Sequence, residues 1–155
     1  SLLRDDAIDA YKTRLLPLAT LITPNLPEAA VLGGTEIKTS SEMEQAAQHL
    51  AKLYNTSVLL KGGHLPENED RLDILHHNGE SYHFTTSTID IDSTHGTGCS
   101  LSAAIAANIA HGANIHDATS AAKQWVPGAI MNSSKWQKPN QKPILALNHL
   151  RPGSL

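Results

Sequence analysis

The stretch LATLITPNLPEAAVLGG, Leu18–Gly34, changes periodicity within a few residues. Leu18–Thr23 is a short apolar run rich in β-formers and closed by Pro24, which reads as a buried strand. Asn25 is then placed to cap a short helix with Pro27 in its first turn, ended by Gly33-Gly34. A buried strand feeding straight into a helix is the repeating unit of an α/β fold, and the flanking sequence extends it. Upstream, Ala7 or Ile8, Tyr11, Leu15 and Leu18 recur at near-helical spacing, so a helix is expected from Asp5 to about Leu16, where Pro17 interrupts. Downstream, Ser40 or Ser41 should cap a longer helix whose apolar face carries Met43, Ala46 or Ala47, Leu50 and Leu53. SVLLKGG, Ser57–Gly63, follows as a second fully buried strand. The order α, β, α, α, β predicts a mostly parallel sheet with right-handed crossovers.

The second half adds an antiparallel element. LDILHHNGESYHF contains Asn78-Gly79, a strong hairpin signal, between two runs of mixed apolar and polar residues. After Ser93 a glycine-rich turn opens a helix to about His111, which Gly112 ends, and Asn114 caps a last helix from Ile115 to about Met131. The tail is punctuated by Pro and Lys and holds one apolar run, Ile144–Leu147.

Composition narrows the function classes. The chain has 155 residues, the size of one domain, and 40% hydrophobic content suits an ordinary core. A formal charge of -3 with scattered Lys and Arg gives no basic face for a phosphate backbone, so nucleic acid is not an expected partner. No apolar run approaches the roughly 20 residues of a membrane span, and the acidic start is unlike a signal peptide. A cytoplasmic protein is expected. One cysteine, Cys99, allows neither an internal disulfide nor a cysteine-based zinc cluster.

Three stretches could carry chemistry. In STHGTGCSLSAAIAANIA, Ser93–Ala110, the glycines Gly96 and Gly98 around Thr97 admit a ligand close to the backbone, and the first-turn N–H groups of the helix suit phosphate or a developing negative charge. A tight turn before a buried helix reads the same residues equally well. Neither a Walker loop nor GxGxxG is present. A thiol at a helix amino end is favoured as thiolate and can act as base or nucleophile, so Cys99 sharpens the first reading. Its rival is a small buried hydrophobe. In TPNLPE, Asn25 and Glu28 stand three apart at a strand's carboxyl end, suiting an outer-shell hold on hydrated Mg²⁺ and phosphate; an Asn cap with a helix-dipole Glu fits as well. In KGGH, Lys61 can meet phosphate and Gly63 admit it, against an ordinary glycine turn with a solvated lysine. All three lie at the same end of the predicted sheet, where open α/β sheets place ligands. The nine histidines show no metal spacing and read as surface or structural.

These residues also carry a family likeness. LLPLATLITPNLPEAAVL, VLLKGGHL, STHGTGCSLSAAIAANIAHG and AAKQWVPGAI, in that order, resemble the C-terminal part of the hydroxymethylpyrimidine/phosphomethylpyrimidine kinases of thiamine biosynthesis, from about Ser1 to Ile130. The resemblance implies a ribokinase-like three-layer α/β sandwich that transfers the γ-phosphate of ATP, with Mg²⁺, to an alcohol or a phosphate monoester. It implies that Gly96, Thr97 and Gly98 form an anion hole over the transferring phosphoryl group, and that Cys99 stands where many relatives carry an aspartate base. It assigns Asn25 and Glu28 to Mg²⁺ and ATP phosphates, Lys61 to the VLxKGG strand end, and Lys123 to the nucleotide region. Pyridoxal kinase, which shares the GTGC turn, and a non-catalytic nucleotide-binding module are the alternatives.

The likeness implies departures too. Residues 1–155 are expected to form one partial domain, the nucleotide-binding portion, with the substrate-binding portion absent and the isolated chain inactive. The partner expected is a further copy in a homo-oligomer or a second chain that supplies the absent N-terminal portion. The tail replaces a glycine-rich stretch by QKPILALNHL, keeping only Asn148-His149-Leu150, which puts closure of the tail over the site in doubt.

Overall fold

In the computed structural model, which describes residues 5–63, 65, 71–86, 96–137 and 144–150, the first strand is shorter than its apolar run. Helix α1, Asp5–Ala10, runs on through a π turn at Tyr11–Leu15 into a 3-10 turn at Leu16–Leu18, so the helical path passes Pro17 instead of stopping before it. Pro17 stands at the start of the 3-10 turn, where its missing N–H costs nothing. Leu18 is thereby left 81% exposed, and strand β1 is confined to Leu21–Ile22.

The quoted helix forms as expected: α2 spans Leu26–Gly33 behind the Asn25 cap, and Gly34 takes the left-handed conformation at φ 74°. Helix α3, Ser40–Tyr54, is capped by Thr39 and not by Ser40 or Ser41. Thr39 and Glu42 form the reciprocal pair: Glu42 N–H donates to Thr39 Oγ1 at 3.2 Å and Thr39 N–H to Glu42 Oε2 at 3.1 Å. The buried face is Met43, Ala47, Leu50 and Tyr54, whereas Leu53 is 53% exposed. Tyr54 takes the inward place because its ring is buried while its hydroxyl donates to the Leu32 carbonyl at 3.0 Å, tying α3 to α2.

Strand β2, Ser57–Lys61, pairs in parallel with β1, Leu21 opposite Ser57 and Ile22 opposite Val58. Val58, Leu59 and Leu60 are fully buried. Strands β3, Arg71–His77, and β4, Glu80–Thr86, complete the order β1-β2-β3-β4, and both of their pairings are antiparallel. The sheet of the described residues is therefore mixed: the parallel β1–β2 pair and the antiparallel β3–β4 hairpin are as expected, and β2–β3 is antiparallel as well. Only residues 62–70 separate β2 from β3, fewer than the dozen or so a parallel crossover requires, so the chain returns alongside itself. The hairpin turn is the expected one, with φ 52° at Asn78 and 82° at Gly79. Leu16, Ile22, Ala29, Met43, Leu50, Val58, Leu60 and Ile74 belong to one apolar cluster between helices and sheet.

The chain divides into two compact units, residues 1–88 and 89–155. In the second, helices α4, Thr97–Ala110, and α5, Ile115–Met131, pack together with Leu101, Ile105, Ala118, Ala122 and Val126 buried. Asn114 caps α5, its Oδ1 accepting from Asp117 N–H at 2.8 Å, and α5 continues through Pro127. Strands β5, Ser134–Trp136, and β6, Ile144–Ala146, form an antiparallel pair. Among the described residues no helix is long and apolar enough to cross a membrane.

Gly62 closes the first unit tightly. A Cβ there would stand 2.2 Å from the Leu72 carbonyl oxygen and 2.8 Å from the Met43 side chain. Gly62→Ala should therefore cost about 1–3 kcal/mol or more of overpacking strain, read as a lower denaturation midpoint at unchanged slope.

Candidate functional site

In the first unit the carboxyl ends of β1 and β2 bring Asn25, Glu28 and Lys61 together. Lys61 N–H donates to the Pro24 carbonyl at 2.8 Å, and Asn25 stands opposite Lys61 in a parallel bridge beyond the strand pair. Asn25 and Glu28 form a capping box: Glu28 N–H donates to Asn25 Oδ1 and Asn25 N–H to Glu28 Oε2, both at 2.8 Å. The capping reading of this pair is thus realised in the structure. It occupies one oxygen of each side chain, and Glu28 is exposed. Lys61 is half-buried, and its ammonium has no ion pair among the described residues.

The glycines after Lys61 have structural reasons of their own. Gly62 N–H is shared between the Leu72 carbonyl at 2.9 Å and Asp73 Oδ1 at 3.1 Å, and the Asp73 carboxylate is largely buried. Gly63 is exposed at φ 59°, a left-handed conformation in which glycine is least strained. The turn therefore holds Lys61 at a fixed strand end. His64 lies outside the described residues.

In the second unit Gly96 caps α4 in a left-handed conformation, φ 89°, with no side-chain cap. Ser100 N–H makes the first intrahelical bond, to the Gly96 carbonyl at 2.9 Å. The N–H groups of Gly98 and Cys99 have no carbonyl one turn back within the helix, the condition for anion binding. Cys99 is exposed, so the buried-hydrophobe reading of the thiol does not hold. Lys123 is half-buried on α5; Pro127, four residues on, has no N–H for the Lys123 carbonyl. His95, Thr94 and Ser93 lie outside the described residues. Of the three candidate stretches, TPNLPE and KGGH share one sheet end, and STHGTGC belongs to the other unit.

The structure adds residues that spacing did not reveal. Ser100, the residue after the thiol, is buried and its Oγ lies 2.9 Å from His149 Nε2. The His149 ring stacks on Trp125 of α5, centroids 5.8 Å apart and planes 25° apart. Asn148 N–H donates to the Ala129 carbonyl at 3.1 Å, and Leu147 is the side chain nearest the space beside Gly96. Residues 147–149, whose place over the site stood in doubt, thus dock on α4 and α5. The Asn148-His149-Leu150 match was the one signal that could have found them. His76 and His77 bear out the structural reading, bonding Ser81 Oγ at 3.1 Å and Ser57 Oγ at 2.8 Å.

Comparison with known proteins places these features in a family context. The family described as phosphomethylpyrimidine kinase matches residues 1–144. A hydroxymethylpyrimidine/phosphomethylpyrimidine kinase of Bacillus subtilis is 38% identical over 133 residues, 86% of this chain and 49% of the relative. The thiamine biosynthesis bifunctional protein ThiED of Geobacter sulfurreducens is 42% identical over 124 residues, 80% of this chain and 25% of the relative. Among solved structures, an ADP complex of Bacillus subtilis pyridoxal kinase superposes with a TM-score of 0.82 at 33% identity, covering 94% of this chain and 56% of that one. The α/β architecture is thus the ribokinase-like one, and the chain spans half or less of the length of the two relatives named.

The capping geometry separates two substitutions. Asn25→Ala should cost about 1 kcal/mol of stability, whereas Glu28→Gln, whose amide oxygen can still accept from Asn25 N–H, should leave the thermal midpoint nearly unchanged.

Proposed function

The chain belongs to the phosphomethylpyrimidine kinase family, and from that premise we propose that it forms the nucleotide-handling part of an enzyme that phosphorylates hydroxymethylpyrimidine and its monophosphate from ATP, in thiamine biosynthesis. The observation that carries the reading is the start of α4: a left-handed glycine cap, first-turn amides without helical acceptors, and an exposed thiol in the same turn. Phosphoryl transfer depends mainly on positioning and on stabilising charge, and this turn offers both.

Each residue has a role in that chemistry. The backbone of Gly96, Thr97, Gly98 and Cys99 holds the negative charge of the transferring phosphoryl group. Cys99 Sγ accepts the hydroxymethyl proton as the substrate oxygen bonds to the γ-phosphorus and the bond to the β-phosphate oxygen breaks, releasing ADP. Lys61 offsets phosphate charge at the end of β2, and Gly63 lets phosphate approach the backbone there. Lys123 serves the nucleotide region.

Mg²⁺ fits the residues present. Among the described residues no cluster of three or more His, Cys, Asp or Glu could cage a metal, while Glu28 keeps one carboxylate oxygen outside its cap. Water and phosphate would then supply most ligands, with Glu28 and Asn25 holding the hydrated ion from outside. Bound there, Mg²⁺ supplies charge neutralisation on the ATP phosphates. The reading is of a cytoplasmic kinase with a small-molecule substrate. Its test is calorimetric titration of the chain with Mg-ATP: saturable binding is expected, with little or no turnover of hydroxymethylpyrimidine. Absence of binding would count against the nucleotide role.

The structural likeness to pyridoxal kinase favours a second reading, phosphorylation of a pyridoxine-type alcohol. Competition between the two alcohols, in a complete enzyme carrying this chain, separates them.

Two substitutions sort structural from chemical roles. Glu28→Gln should weaken Mg-ATP binding several-fold with the stability kept. Cys99→Ala, in a complete enzyme carrying this chain, should lower kcat about 10²-fold or more while nucleotide affinity changes little; near-normal turnover would remove Cys99 as the base.

A further inference from the structure

The second unit contains a tie that the phosphoryl-transfer roles do not use. Ser100 is the fourth residue of α4 and nearly buried, and its Oγ meets His149 Nε2 at 2.9 Å across 49 residues of chain. His149 is held from two further directions. Its ring stacks on Trp125, and the preceding residue, Asn148, donates its N–H to the Ala129 carbonyl at 3.1 Å. Asn148 Oδ1 accepts from Leu150 N–H at 3.1 Å, closing a small turn around the histidine. Leu147 lies beside Gly96, 4.0 Å from the place a Cβ would take. The segment 147–149 thus touches both the cap of α4 and the end of its first turn.

First turns of helices fray readily, because their N–H groups lack helical acceptors and a side-chain cap is a main restraint on them. Gly96 supplies no such cap. A side-chain bond from Ser100 to a histidine anchored on α5 restrains the turn from its other end. We propose that His149 is a positioning residue, which through Ser100 fixes the first turn of α4 so that the amides of Gly98 and Cys99, and the Cys99 thiol, are preorganised for the phosphoryl group. The inference rests on the kinase reading for its purpose, and on the distances above for its existence.

The test compares the chain with its His149→Ala, Ser100→Ala and doubly substituted variants. Hydrogen exchange followed by mass spectrometry reads the tie directly. Peptides covering residues 97–104 should exchange about tenfold faster in either single variant, and no faster in the double one, the non-additivity expected of directly coupled partners. Peptides covering β2 and β3 should keep their protection. Mg-ADP affinity should fall several-fold in the same variants. A loss of protection spread evenly over the chain, or exchange at 97–104 unchanged in both single variants, would overturn the positioning role. Should His149→Ala fail to fold, Ser100→Ala decides, since it removes only the hydroxyl. Failure of the wild-type chain to bind Mg-ADP would sink the kinase reading instead, and the exchange comparison would still decide whether the tie restrains the turn.

Discussion

The missing side chain at Gly62 is the constraint on which the first unit depends. At that residue the end of β2 lies against the Leu72 carbonyl and the Met43 side chain, so strand, returning strand and helix meet in a space with no room for one more carbon. Protein interiors are packed to crystal-like density, and a contact of this kind fixes register as firmly as a run of hydrogen bonds. Gly62 N–H then serves both the Leu72 carbonyl and the Asp73 carboxylate, which gives a buried acid a fixed donor. Lys61 ends the strand one residue earlier and inherits that rigidity. Under the role proposed for it, Lys61 gains from being held in place before phosphate arrives.

Structural and binding duties overlap in this chain without competing. Asn25 and Glu28 cap α2 and are also the pair read as a metal and phosphate hold. A carboxylate has two oxygens, and the capping box engages one. The glycines after Lys61 show the same overlap, one required by packing and the other by its backbone angle. Residues with a sufficient structural reason remain available for chemistry, and only measurements that separate stability from binding can apportion the two.

Much of this was legible in the sequence because the signals are local. The Asn25 cap, the Gly34 stop, the Asn78-Gly79 turn and the Asn114 cap all fell where turn and cap chemistry puts them. The inward face of α3 was misjudged at one place, since Tyr54 reaches the core through a hydrogen bond to α2 that no periodicity contains. Thr39 was passed over as the cap although its partner, Glu42, stands three residues on. The antiparallel hairpin was legible from Asn78-Gly79, whereas the antiparallel pairing of β3 with β2 was not read, although residues 62–70 are too few for a parallel crossover. Of the candidate site, the turns and charges could be read, whereas the bond from Ser100 to His149 could not. Contacts across such a separation follow from how helices pack, not from spacing.

That long-range bond bears on how the chain is made. The helices α4 and α5 precede residues 147–149 in the chain and so leave the ribosome before them. Until those residues emerge, Ser100 has no imidazole to meet and the Ala129 carbonyl no Asn148 N–H. The start of α4 therefore reaches this restraint only after both helices have been made. During synthesis the first turn of α4 is thus held by this bond later than the helix pair that carries it.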